Sequence, residues 1–163
     1  MKPAQIAEGE YRSHLYFRAV PQNNASDAVA GASEISVSLT PVFGITIPVI
    51  VRSGNLAAKV ELVNPALSEE NNSRKLSFSF SRSGNMSVYG DIAVDHIAAD
   101  GKVTRVKSVK GIAVYTPNTS RSVTIDLSDY TGVDYSAGKL LIAYTAGQNN
   151  NSITLAKTEL DLK

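Results

Sequence analysis

The amino-acid sequence predicts an all-β protein, and three observations carry that reading. Apolar side chains alternate with small polar ones at period 2 over most of the chain, the signature of strands with one wet and one buried face. Clusters of Gly, Pro, Asn and Ser break the alternation at short intervals. Runs of Leu, Glu, Lys and Ala at helical spacing are rare. With 163 residues, 43% apolar and 19% charged, the chain is long and apolar enough to bury a core.

The first strand is expected over Tyr11 to Val20, with Tyr11, Ser13, Leu15, Phe17 and Ala19 on one face and Pro21 ending it. Residues 22–33 are rich in Asn, Ser, Ala and Gly and read as a connection. The clearest alternation runs from Ile35 to Val51, where the odd positions include Val37, Leu39, Phe43, Ile45, Ile47 and Val49. Held extended, that segment would reach roughly 56 Å at about 3.3 Å per residue, beyond the about 3–10 residues of ordinary strands. The segment is therefore expected either to bend, at Gly44, or to be shared between two packing environments, and Pro48, lacking an N–H, must face an edge or a bulge. The two strands form a hairpin with a long loop. An isolated hairpin is marginal in water, so its apolar face needs a partner.

Ser53-Gly54-Asn55 reads as a boundary, dividing the chain into residues 1–52 and 53–163. Short strands follow over Ala58 to Val63, Lys75 to Ser81, Val88 to Ile97, Val103 to Val109, Gly111 to Tyr115, Ser122 to Leu127, Lys139 to Thr145 and Ile153 to Leu162. Asn64-Pro65, Ser83-Gly84-Asn85, Asp100-Gly101 and Thr116-Pro117-Asn118 supply the turns. That strand count and spacing predict an immunoglobulin-like β-sandwich, preceded by the hairpin of an incomplete first domain of the same type.

The same residues exclude several function classes. Sixteen Lys and Arg against fifteen Asp and Glu give a net charge of +1, not the basic face that nucleic acids need. No apolar run is long enough for a membrane-spanning helix, and no export leader opens the chain. Zero cysteines exclude disulfides, thiol catalysis and thiolate metal sites. There is no G-x-S-x-G elbow, phosphate loop or dinucleotide fingerprint. His14 and His96 have no ligand spacing for zinc, and His96, beside Asp95, reads as a strand histidine facing solvent. Asp126, Asp129 and Asp134 lack the spacing of a calcium loop. The chain is not expected to be an enzyme, to hold a metal or to carry a cofactor.

The segment Glu8-Gly9-Glu10-Tyr11-Arg12-Ser13-His14-Leu15-Tyr16-Phe17-Arg18-Ala19-Val20-Pro21 resembles the penultimate strand of the first domain in the PapD-like periplasmic chaperones of pilus assembly. Ile35 to Val51 is similar to that domain's last strand. Arg82-Ser83-Gly84-Asn85 through Tyr89-Gly90-Asp91, the Tyr115-Thr116-Pro117 turn and Arg121 are similar to the second domain. The resemblance covers nearly the whole chain, with most of the family's first domain missing ahead of it: an N-terminally truncated relative. It implies two immunoglobulin-like domains in the periplasm and a chaperone that donates a β-strand to complete a pilus subunit's sandwich, then hands the complex to an outer-membrane usher. The donor residues so implied are Ile35, Val37 and Leu39, with Phe43 and Ile45.

The family anchors the subunit's terminal carboxylate on two basic residues. One lies on a strand that this chain lacks and the other is a donor-strand lysine, for which Ile35 to Val51 has no counterpart. Arg12, Arg18 and Arg52 are the nearby candidates, and they read more readily as solvated strand-end charges. With the other strands of that domain missing, Leu15, Phe17, Ile35, Val37 and Leu39 would cost several kcal/mol if left in water at about 25 cal/mol per Å². Self-association through residues 11–51, as a dimer or a strand swap, is expected. The alternative reading is a structural or adhesion module that self-associates through this hairpin.

Overall fold

The computed structural model describes residues 6–20, 41–70, 73–147 and 152–162. Among them every regular element is a strand: β1 (Gly9–Arg18), β2 (Gly44–Ser53), β3 (Ala58–Glu70), β4 (Ser73–Gly84), β5 (Val88–Ile97), β6 (Val103–Val114), β7 (Ser120–Asp126), β8 (Lys139–Ala146) and β9 (Ile153–Asp161). β1 and β2 form a two-stranded sheet, β3-β4-β7 a three-stranded sheet, and β6-β5-β8-β9 a four-stranded sheet. The chain divides into two units, one of residues 11–51 and one of residues 1–10 with 52–163.

The larger unit is an antiparallel β-sandwich whose core follows from the alternation. On β4 the even positions Leu76, Phe78 and Phe80 are buried, and on β5 Val88, Ile92 and Val94. Leu140, Ile142 and Tyr144 on β8 sit opposite His96, Val94 and Ile92 and are sealed from solvent. Serines fill the outward positions between the β4 core residues, and Ser79 and Ser122 face each other across β4 and β7 with hydroxyls 3.0 Å apart. Asp100-Gly101 makes the predicted turn, with Gly101 at φ +83 and the Asp100 carboxylate accepting from the Lys102 N–H at 2.9 Å.

Three expectations are corrected. β3 does not stop at Asn64-Pro65. The register slips between Val63 and Ala66, with Asn64 at φ 55, and this bulge takes the missing N–H of Pro65 out of the ladder. The runs Val103 to Val109 and Gly111 to Tyr115 are one strand, β6, because Gly111 at φ +74 accommodates a bulge opposite Gly90–Ile92. His96 does not face solvent. It lies in phase with Ile92 and Val94, is buried against the Tyr135 ring, and donates from Nε2 to the Ala137 carbonyl at 2.9 Å. The neighbouring Asp95 takes the outward position and pairs with Arg105.

Tyr144 couples the core to pH. Its hydroxyl donates to the Ile112 carbonyl at 2.8 Å, and burial, opposed by the Arg121 charge and aided to a smaller extent by Asp91, Tyr89 and Tyr115, pushes its pKa up to about 12. The unfolded phenol titrates near 10. Between those values the folded state holds a proton that the unfolded state has lost, so stability is full below about pH 10 and falls as pH rises toward 12. Urea midpoints measured from pH 8 to 12 should drop across that window, and Tyr144→Phe should flatten the drop.

Candidate functional site

The smaller unit, residues 11–51, carries all of the β1–β2 sheet but the end formed by Gly9, Glu10, Arg52 and Ser53. At one end the Ala19 N–H donates to the Phe43 carbonyl at 2.9 Å. At the other, Arg52 Nε meets the Glu10 carboxylate at 3.1 Å. Both contacts fit one antiparallel register, and the Tyr16 ring lying over the Gly44 backbone agrees with it. The pleat then places Leu15, Phe17, Phe43, Ile45, Ile47 and Val51 on one side of the sheet. These six side chains are 47–74% exposed. The opposite side carries Arg12, His14, Tyr16 and Arg18.

The expected strand from Ile35 to Val51 is not continuous. Residues 41–43 are outside any strand and β2 begins at Gly44. Gly44 therefore marks a strand start and not a bend within a strand. Ile35, Val37 and Leu39 lie outside the described residues. Phe43 and Ile45, the other two expected donor residues, are both present on the exposed apolar side. Pro48 falls opposite His14, at a position whose N–H would point away from β1, so it interrupts the outer edge of β2 and costs the sheet no internal bond.

Two of the three candidate anchor arginines, Arg12 and Arg18, stand on β1, six residues apart. Arg18 is exposed near the far end of β1, and Arg12 is half-buried on the same strand. Arg52 belongs with the sandwich and is occupied by Glu10. Glu10 was not singled out by the sequence, yet its side chain is fully buried, accepting from Arg52 and from the Ser87 hydroxyl at 2.5 Å. Ser87 in turn accepts from the Thr116 N–H at 3.0 Å. The only sequence signal for Glu10 is its place one residue before the alternating run.

The carboxylates considered for a metal are dispersed. Asp126 accepts from Ser128, which holds its pKa below the usual range, and Ser136 does the same for Asp134. Asp129 pairs with Lys107 at 2.6 Å. Among the described residues no group of three or more His, Cys, Asp or Glu could hold a metal ion. His96 contributes to an open depression with Ala98, Asp100, Lys102 and Thr104, but its Nε2 is taken by a backbone carbonyl. No described helix is long and apolar enough to cross a membrane. The feature without an internal structural explanation is thus the exposed apolar side of the β1–β2 sheet. No protein-family model, curated protein or solved structure matches this chain.

Proposed function

We propose that this chain is a strand-donating chaperone of the pilus-assembly type, acting in the periplasm. Residues 35–45 add as a strand to a pilus subunit whose own sandwich lacks one, and an outer-membrane usher receives the complex. The observation that carries this reading is the apolar side of the β1–β2 sheet, left in water at the point where the chain emerges from residues 35–43. A side chain such as Ile45, 66% exposed here, gains up to roughly 1.5–3 kcal/mol on burial in another protein's sandwich. Main-chain bonds along the added strand fix the register, and an open sheet edge in the subunit is the kind of surface that aggregates unless paired.

The strand order of the larger unit supports the immunoglobulin-like part of the reading. Three strands, β3-β4-β7, face four, β6-β5-β8-β9, and the chain passes between the sheets after β4, β6 and β7. Seven strands exchanged between two sheets in this way suit a sandwich of that type.

Capture of a strand-deficient subunit by the full chain tests the proposal. Val37→Asp or Leu39→Asp should weaken capture by about tenfold or more, since each loses at least one buried anchor. Ser36→Asp, on the other side of the strand, should leave capture unchanged. Equal capture by all three variants would falsify strand donation through this face.

A further inference from the structure

The exposed side of the β1–β2 sheet is formed by Leu15, Phe17, Phe43, Ile45, Ile47 and Val51. A fully exposed Phe presents about 150–250 Å² and Leu, Ile and Val less, so these six leave on the order of 500 Å² uncovered in each copy. Two such sides brought together bury on the order of 1,000 Å², the level that a specific interface has to reach. The edges of the same sheet are poorly suited to pairing. Pro48 removes a donor from the outer edge of β2, and Arg18 puts a cation at the end of β1, where a second copy would bring another.

We infer that two copies of this chain associate face to face through the apolar side of their β1–β2 sheets, forming a small four-stranded sandwich about a two-fold axis. The sheets stack about 10 Å apart, the ordinary spacing of packed sheets. The contact is isologous, so it closes at two copies and does not propagate. It does not depend on the chaperone reading, but where both hold, a subunit must displace the second copy to reach this face.

Sedimentation of the full chain at micromolar concentration should give twice the mass of one chain. Ile47→Asp should raise the dimer dissociation constant at least a hundredfold, and Arg18→Glu on the opposite side should leave a dimer. Because the natural chain has no cysteine, single cysteines report the face without disrupting it. Ile45→Cys should be protected from a maleimide in the dimer, and Thr46→Cys, one residue on and across the pleat, should react freely. A monomer in which Ile45→Cys reacts as fast as Thr46→Cys overturns the inference. So does a monomer with Ile45→Cys protected, which would assign the face to this chain's own residues 21–40. A dimer in which both cysteines react freely also overturns it, because that dimer uses another surface. Failure of the natural chain to capture a strand-deficient subunit, with the dimer intact, would fail the chaperone reading alone.

Discussion

Phe80→Ala should destabilise the sandwich by about 3–5 kcal/mol, a large part of the about 5–15 kcal/mol that holds a domain of this size. Phe80 is fully buried on β4. Its ring meets Tyr144 of β8 edge to face, with centroids 4.9 Å apart and planes at 70°, and Phe78 at 5.6 Å and 61°. The contact with Tyr144 joins the three-stranded sheet to the four-stranded one, so truncation removes a tie between layers as well as apolar area. Edge-to-face pairs add about 0.5–1.5 kcal/mol beyond burial. Leu62, opposite Phe80 on β3, and the other core residues of the cluster such as Ile92 and Ile142 are themselves held in strands and cannot close the cavity by moving side chains alone. The urea midpoint should fall with little change in slope, and Phe80→Leu should recover more than half of the loss. A loss under 1 kcal/mol for Phe80→Ala would mean that the two sheets are not joined through this ring.

The burial of Phe80 could be read from spacing alone, because Leu76, Phe78 and Phe80 keep one parity against serines. The same is true of β5, whose ends at Val88 and Ile97 are where the alternation places them. Other features depend on partners distant in sequence. β3 runs through Asn64-Pro65 only because β4 lies opposite a bulge there. His96 shares the parity of Ile92 and Val94, so its position was legible, but the carbonyl that makes an inward imidazole tolerable belongs to Ala137, 41 residues on. The apolar side of the hairpin was legible for a complementary reason: Phe43 and Ile45 stand in a pattern that the small unit is too thin to bury. The pairing of Glu10 with Arg52 and Ser87 was not, since neither the 42-residue nor the 77-residue separation leaves a local trace.

Arg82→Met should cost about 3–5 kcal/mol, through hydrogen bonds more than through packing. Arg82 follows Phe80 in parity and so points inward, where it is almost fully buried. Its Nε donates to the Asn118 carbonyl at 2.8 Å, and Nη1 to the carbonyls of Gly84 at 3.0 Å and Met86 at 2.8 Å. Bonds to a charged donor contribute about 1.5–3 kcal/mol each, and carbonyls left without a donor carry their own desolvation cost. Methionine fills the stem's volume but leaves all three acceptors unpaired. Lysine keeps the charge but not the planar fork, so Arg82→Lys should recover less than half of the loss. The acceptors are neutral dipoles, and the loss should therefore be nearly the same at 50 mM and 500 mM salt. The braced segment has a second role. Asn85 accepts from the Glu10 N–H at 2.9 Å, donates from its side chain to the Asn55 carbonyl at 2.9 Å and accepts from the Ala57 N–H at 2.9 Å. These contacts hold the chain as it enters β1 and as it leaves β2. Arg82→Met should accordingly speed amide exchange at Glu10 and Ala57 more than at Val94 in the centre of β5. Uniform acceleration at all three would show that Arg82 stabilises the sandwich as a whole and does not specifically secure the segments at Glu10 and Ala57.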